Sequence, residues 1–247
     1  MKLYIVSPMK IQTSILPAIL LCISSLCHAQ ISLGPAAGFH LTEYSLISGG
    51  KKQAVSGAQR AVDYRLGGCV DVPLGKRLHL QPGIYYTSNG SYRYFAGTSY
   101  RYSFNIHAVE FPMLLTYRFG MKHQSHYFAG AGAVMGIHVG GYADSLTPPS
   151  IHMPQEVIRT GITFGPANPA FAYKYNISLL LCAGYHLKKG LWVRVNYQQG
   201  FTDLQPGGYP GNYSVRSNNF GLTAGWLFLT KNKEERTEAK NKPKPAY

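Results

Sequence analysis

The chain has 247 residues, a formal net charge of +14 and a charged fraction of only 14%. Soluble proteins average about 25% charged residues, so the composition argues against an ordinary, fully hydrated surface. No apolar run of about 18 residues or more is present, so no transmembrane helix is expected. The basic residues are spread through loops and tail, so no nucleic-acid partner is expected.

The N-terminus has the pattern of a secretory signal peptide. Lys2 and Lys10 supply positive charge, Ile15–Leu26 is a short apolar run, and Ala29 ends a segment suited to cleavage. We therefore expect residues 1–29 to be removed during export.

The rest of the chain divides into two parts. Residues 30–230 are expected to form one β-barrel domain, because no linker or break in composition divides them. Residues 231–247 are rich in Lys, Glu and Pro and are expected to be a disordered basic tail. Met9 is an alternative start that would give the signal peptide a more usual length, and it leaves both expectations unchanged.

Apolar and polar residues alternate with a period of two throughout the barrel domain. In Leu191–Phe201, Val193 and Val195 lie on one face, and Arg194 and Asn196 lie on the other. This is the pattern of a strand with one apolar and one polar face. We count eight such segments, which are residues 31–41, 62–74, 78–88, 105–119, 127–139, 173–187, 191–203 and 217–229.

The connections between these segments alternate in length. The short ones are Gly75–Arg77, Gly120–His126 and Lys188–Gly190. The long ones are Thr42–Ala61, Asn89–Phe104, Gly140–Ala172 and Leu204–Arg216. Short turns at one end, long loops at the other and an even strand count are typical of outer-membrane barrels.

We therefore predict an all-β fold, an eight-stranded antiparallel up-and-down transmembrane β-barrel. It is expected to be integral to the outer membrane of a Gram-negative cell, with the long loops outside the cell and the tail in the periplasm.

The composition of the two faces decides which one contacts lipid. A soluble lipocalin-like barrel also alternates, but with apolar residues inside. Here the polar face is rich in glycine, as a narrow lumen filled by side chains requires. The apolar face carries no Asp, Glu, Lys or Arg, as lipid contact requires. Tyr64, Tyr86, Tyr127 and Trp226 are among the aromatic residues at strand ends, which is typical of interfacial belts. We expect the apolar face to lie outside.

The same alternation places ionisable residues inside the barrel, where a charge needs a partner. The set is Asp63, Arg65, Asp71, His79, Glu110, Arg118, Lys174 and Arg194. The members nearest the short turns, expected to form one network, are Asp71, His79, Arg118 and Arg194. Glu110 is expected to meet Arg65 or Lys174. A structural plug of ion pairs is favoured over a proton or ion path, because an eight-stranded lumen is narrow.

No catalytic, metal or cofactor site is predicted. Ser125 lies between His123 and His126, but this group falls in a short turn and has no acid beside it. Cys69 and Cys182 fall on opposite sides of the predicted barrel, so we expect free thiols.

The tetrapeptide Ser-Tyr-Arg-Tyr occurs twice in the second long loop, within Ser91–Phe104. The structural interpretation is a hairpin that turns at Gly97 and is stiffened by cross-strand tyrosine pairs. The functional interpretation is a binding site, in which arginines hold anionic groups and tyrosines supply contact area. Its candidate residues are Tyr92, Arg93, Tyr94, Tyr100, Arg101 and Tyr102. The long loop Gly140–Ala172 is a second candidate.

Four segments resemble the PorT-like outer-membrane β-barrel family of Bacteroidota-type bacteria. They are Leu80–Gly90, Val109–Phe119 with its Glu-Phe-Pro run, Tyr197–Leu204 and Asn219–Phe228. The resemblance spans residues 31–229. It implies an integral outer-membrane barrel with no catalytic residues to carry over, and gives Pro82, Pro112 and Glu110 structural roles. One namesake takes part in type IX secretion, but resemblance alone does not transfer that role.

Three functional hypotheses follow. The first is a structural, adhesive or partner-binding barrel that is not an open porin. The second is a narrow channel or a component of a secretion or transport machinery, and the third, disfavoured, is a lipid-modifying enzyme. The expected partners are outer-membrane lipid, lipopolysaccharide, and a protein bound by the extracellular loops or the periplasmic tail.

Overall fold

A computed structural model describes residues 31–48, 51–53, 58–94, 101–120, 125–146, 157–166, 172–187, 189–204 and 213–229. The predicted signal peptide, the basic tail and the tips of the long loops lie outside these residues. No helix in the described ranges is long and apolar enough to cross a membrane.

The described residues form eleven strands. They are β1 (Ser32–Ser48), β2 (Lys51–Gln53), β3 (Ala58–Pro73), β4 (Leu78–Tyr94), β5 (Arg101–Phe119), β6 (His126–Leu146), β7 (Val157–Gly161), β8 (Tyr175–His186), β9 (Leu191–Gly200), β10 (Tyr213–Trp226) and β11 (Phe228–Leu229).

Eight of these strands close into a barrel. The antiparallel order runs β1, β3, β4, β5, β6, β8, β9 and β10, and β10 pairs back onto β1. Closure is visible where Gly38 of β1 lies opposite Thr223 of β10 on one side and Arg65 of β3 on the other. The short β11 extends this seam by pairing with the start of β1. The predicted eight-stranded antiparallel barrel is therefore confirmed.

Several strands continue past their predicted ends, always toward the long loops. The β4–β5 ladder runs to Tyr94 opposite Arg101. β6 continues to Leu146, where it pairs with the additional strand β7. The predictions stopped short because they relied on alternation of apolar and polar residues. That signal fades where neither face of a ladder touches hydrocarbon.

Burial separates the two faces as predicted. On β8, Leu179 is 36% exposed and Leu181 is 44% exposed, whereas Leu180 between them is 0% exposed. Val72 departs from the pattern, since alternation along residues 62–74 places it on the outer face, whereas its side chain is buried.

The lumen is filled in layers. A buried apolar cluster, here called the central cluster, includes Tyr85, Leu114, Phe128, Leu180 and Trp192. A second cluster, here called the mouth cluster, contains Tyr44, Phe104, Ile106, Ala172 and Leu204, with Ile162 and Phe164 packed against it. The mouth cluster is built partly from segments between the main strands, so the long-loop end is covered by the chain's own apolar side chains.

Candidate functional site

The network nearest the short turns is centred on the Asp71 carboxylate. Arg118 Nη2 donates to Asp71 Oδ2 over 2.7 Å, Gln81 Nε2 donates to Oδ1 over 2.8 Å, and His79 Nδ1 lies 3.0 Å from Oδ2. These residues come from β3, β4 and β5, and the alternation of each strand directs them to one point. A carboxylate with three such neighbours has its hydrogen-bonding capacity largely used. The prediction that Asp71, His79 and Arg118 lie in one network agrees with these contacts.

Glu110 forms a second polar layer deeper in the barrel. Arg65 Nη2 makes a charge-assisted hydrogen bond to Glu110 Oε2. Gln198 Nε2 donates to Glu110 Oε1 over 3.1 Å and to Ser178 Oγ over 2.9 Å, and Arg65 Nη2 donates to Gln198 Oε1 over 2.9 Å. The group crosses the lumen from β3 and β5 to β8 and β9. Both charges are buried and paired with each other, as a buried charge requires, while Arg65 Nε has no hydrogen-bond partner among the described residues.

Asp63 is buried without an ion pair among the described residues. Its carboxylate accepts hydrogen bonds from Ser88 Oγ over 3.1 Å and from the Gly90 backbone N–H over 2.7 Å. The β3–β4 register shifts between Arg60 and Arg65. Asp63 lies inside this irregularity, so its side chain links the two strands where the regular ladder is interrupted.

One predicted lumen residue, Lys174, lies elsewhere, and another, Arg194, lies in the lumen but outside its predicted network. Lys174 is exposed and precedes β8, so its assignment to the lumen is wrong; the alternation was extended beyond the true start of the strand. Arg194 is buried, but none of the ion pairs of Asp71 includes it. Its guanidinium instead lies 4.9 Å from the centre of the Trp192 ring.

Amide, hydroxyl and imidazole side chains complete the polar layer. His40 Nε2 lies 3.1 Å from Asn89 Oδ1, and Asn219 Nδ2 donates to the same oxygen over 3.2 Å. Asn196 Nδ2 donates to Thr223 Oγ1 over 2.7 Å. Strand parity places residues such as Asn196 on the inward face, but it does not indicate which partners they meet.

A small cavity lies within this polar layer. Its volume is about 10 Å³, and its lining includes His40, Arg65, Asn196, Gln198 and Asn219. A space of this size holds about one water molecule, which is far smaller than a hydrated ion.

The residue types associated with catalysis or metal binding are dispersed. Cys69 and Cys182 are free, as predicted. His126 stacks on His186 with ring centroids 5.0 Å apart, while His123 lies outside the described residues. Across the described ranges, no group of three or more His, Cys, Asp or Glu residues is placed to hold a metal ion.

Two exposed ion-pair groups stabilise the long-loop end. Glu43 accepts from Lys52 Nζ over 2.7 Å and from Arg60 Nη2 over 2.9 Å, and the hydrogen bond from Lys52 is the main reason that the Glu43 pKa is lowered. Arg159 Nε and Nη2 donate to the two oxygens of Asp144 over 2.7 and 2.8 Å. This bidentate pair lowers the pKa of Asp144 and fastens β7 to β6.

The doubled tetrapeptide falls on the paired ends of β4 and β5. The register sets Arg93 opposite Tyr102, and Tyr94 opposite Arg101. The predicted hairpin ladder is present, and its turn lies outside the described residues. The expected tyrosine-to-tyrosine pairs are wrong for Tyr92, Tyr94 and Tyr102, because Tyr92 lies opposite Ser103 and the other two lie opposite arginines. Tyr100 lies outside the described residues.

A row of rings crosses the outer surface near the long-loop end. Centroid distances are 6.4 Å from Tyr64 to Tyr86, 5.7 Å from Tyr86 to His107, and 6.1 Å from His107 to Tyr142. Arg159 Cζ then lies 4.2 Å from the Tyr142 ring centroid. Such a row is the form that an interfacial aromatic belt takes on adjacent strands.

Several solved outer-membrane structures are similar to this chain, whereas no curated protein matches it. The chain is similar to Ail, the attachment invasion locus protein of Yersinia pestis, at 13% identity and a TM-score of 0.37, with 81% of this chain and 99% of that chain covered. It is similar to OprG of Pseudomonas aeruginosa at 11% identity and a TM-score of 0.40, covering 82% and 97%. For Neisserial surface protein A the identity is 11% and the TM-score 0.37, covering 80% and 97%.

A family model described as the outer membrane protein beta-barrel domain matches residues 25–205. This range includes seven of the eight strands that close the barrel. The chain therefore belongs to the outer membrane protein beta-barrel domain family, and it is an integral protein of the outer membrane.

Proposed function

We propose that this barrel is not an open porin and that it acts as a structural, adhesive or partner-binding protein through its extracellular loops. The observation that carries the proposal is a contrast between the two parts of the fold. The lumen is occupied by buried side chains, while the β4–β5 and β6–β7 ladders extend toward the long-loop end. In this orientation, the long loops lie outside the cell and the tail lies in the periplasm.

Packing of the lumen supports the absence of conduction. The mouth cluster covers the long-loop end, and the central cluster lies within the barrel. The Asp71 and Glu110 networks add polar layers of paired charges. A hydrated ion would have to disrupt buried ion pairs and displace close-packed side chains.

Planar bilayer recording tests this part of the proposal. The purified barrel should insert without producing conductance steps. Reproducible steps that change in Glu110→Ala would favour the alternative of a narrow channel, since Glu110 lies in the lumen and not on the surface. Steps that persist unchanged in that variant would indicate a contaminating porin.

The partner-binding part concerns the loop Ser91–Phe104. Its candidate contacts are Tyr92, Arg93, Tyr94, Tyr100, Arg101 and Tyr102, and lipopolysaccharide is the first ligand to test because its phosphates suit arginine. A barrel lacking Ser91–Phe104 and an Arg93→Gln/Arg101→Gln double variant should both retain less lipopolysaccharide in a pull-down from detergent extract. Lys76→Gln/Lys189→Gln, which removes two exposed positive charges from short turns at the opposite end, is the charge-matched control. Equal retention by all four proteins would contradict the proposal.

We also propose the finer PorT-like assignment, on the motifs Leu80–Gly90 and Val109–Phe119. A role in secretion machinery is the second candidate, and the family resemblance does not by itself transfer it. A secretion defect on deletion of the gene, with the outer membrane otherwise intact, would favour that role. Unchanged lipid A in the deletion strain would discard the third candidate, a lipid-modifying enzyme.

The proposed export route has its own test. Intact-mass measurement on the protein purified from outer membranes should show a chain that begins at Gln30 and retains the tail 231–247. A chain that keeps residues 1–29 would contradict the signal-peptide assignment.

A further inference from the structure

Arg194 lacks the acceptors that a buried guanidinium needs. The residue is 1% exposed, and its Nε and Nη2 donate to no atom of the described residues. The buried carboxylates of the lumen are bound elsewhere: Asp71 to Arg118, Glu110 to Arg65, and Asp63 to a hydroxyl and a backbone N–H. Within the part of the chain that is described, Arg194 therefore has no counter-charge.

A third unpaired donor lies beside it. Trp192 is 3% exposed, and its indole Nε1 has no acceptor among the described residues. The Arg194 guanidinium carbon lies 4.9 Å from the centre of the Trp192 ring. Tyr85 and the thiols of Cys69 and Cys182 lie close enough to Arg194 to interact with it electrostatically, and all three belong to the central cluster.

This arrangement selects for one kind of ligand. A guanidinium cannot release its proton in a protein, so the charge must be met by a counter-charge. A water molecule would accept from these N–H groups and could donate to the unpaired Tyr85 hydroxyl, but it would leave the guanidinium charge without a counter-charge. An anion accepts from all the donors and supplies the missing charge.

We propose that Arg194 and Trp192 bind one small monovalent inorganic anion, of the chloride class, inside the barrel. The site is separate from the extracellular loops, so it stands or falls independently of the proposed function. Its role is to complete the charge balance of the central cluster in the folded protein.

Bromide is the direct probe, because it scatters anomalously. Crystals of the detergent-solubilised barrel grown in sodium bromide should show an anomalous peak within hydrogen-bonding distance of Arg194 Nε or Nη2 and of Trp192 Nε1. Density for water alone at this position, in crystals that hold bromide in solvent, would overturn the proposal.

Denaturant unfolding in micelles gives a second readout. Sodium bromide is compared with sodium gluconate at equal ionic strength, and the wild-type unfolding midpoint should rise with bromide and then saturate, because only the folded state binds. Arg194→Met should abolish the response. Trp192→Phe keeps an aromatic ring and removes one donor, so it should require several-fold more bromide for the same shift of the unfolding midpoint. If Arg194→Met does not fold, Trp192→Phe is the variant that tests the anion site.

Arg60→Met is the matched control, since it removes an exposed arginine at the long-loop end. It should retain the full bromide response. A wild-type midpoint that is the same in both salts would contradict the proposal. So would an equal bromide response in wild type, Trp192→Phe and Arg194→Met, or alkylation at neutral pH that identifies Cys69 or Cys182 as a thiolate counter-charge.

Discussion

Glu110 is the residue on which the middle polar layer depends. It accepts from both Arg65 and Gln198, and it is 2% exposed. A buried ion pair is costly to break on one side, because the remaining charge stays desolvated. The position therefore distinguishes a structural plug from a loosely hydrated lumen.

Glu110→Gln should lower the free energy of unfolding by about 3–5 kcal/mol, because Arg65 is left buried without its counter-charge. The measurement is urea unfolding of the barrel in lipid vesicles. Arg65→Met/Glu110→Leu, which removes both charges, should recover most of the loss. Asp144→Asn, at an exposed pair, is the control and should cost about 1 kcal/mol or less. A loss in Glu110→Gln no larger than in this control would contradict the plug.

Asp144 gives the structure a local response to acid. The hydrogen bond from Arg159 lowers the pKa of Asp144 in the folded state, so the pair stabilises the docking of β7 above the ordinary aspartate pKa of about 3.9. The stabilisation is lost as the pH falls through the lowered folded-state pKa. Protection of the β7 amides against hydrogen exchange, corrected for intrinsic rates, should fall in that acidic range. Asp144→Asn should show weak protection at every pH, and wild-type protection that persisted unchanged to about pH 2 would contradict the assignment.

At the scale of the strands, glycine residues help to determine how closely two neighbouring strands approach each other. A Cβ built on Gly132 of β6 would collide with the backbone carbonyl of Met113 and with Cα of Leu114 on β5. A Cβ on Gly140, in the same strand, would have nothing within 4 Å. The two glycines therefore differ in how closely the neighbouring strand approaches.

Gly132→Ala should destabilise the barrel by about 1–3 kcal/mol, the usual cost of overpacking. Gly140→Ala should have little effect. The folded fraction is measured by heat-modifiable migration on gels over a range of urea concentrations. Equal midpoints for the two variants would show that close approach of β5 and β6 is not required.

The elements also show what sequence could predict and where it failed. Lipid on one face and packing on the other impose strict alternation, so Val193 and Val195 were correctly placed on the outer face and Arg194 and Asn196 in the lumen. The same signal is absent above the hydrocarbon, and β2 and β7 were therefore missed. Lys174 was wrongly placed in the lumen because the alternation of apolar and polar residues does not show where β8 begins.

At the scale of the whole molecule, the sequence predicted which residues lie inside the barrel but could not predict which of them contact each other. Strand parity identified which residues enter the lumen, including Arg65, Glu110 and Arg194. It could not say which of them meet, because partners such as Gln198 and Glu110 come from opposite walls and depend on barrel closure and register. The apolar clusters were also hidden, since Leu180 and Trp192 interrupt an otherwise polar face only once per strand.

Polarity alone does not decide which way a residue of this barrel faces: the exterior is apolar, and the lumen is closed by both apolar and charged side chains. Leu180 is the sharpest probe, since it is apolar, wholly buried, and flanked by the exposed residues Leu179 and Leu181. Spin labels placed singly at these three positions, in a background of Cys69→Ser and Cys182→Ser, report contact with lipid through collisions with dissolved oxygen. We predict high oxygen accessibility at 179 and 181 and low accessibility at 180. High accessibility at 180, or the same value at all three positions, would contradict a lumen closed by side chains.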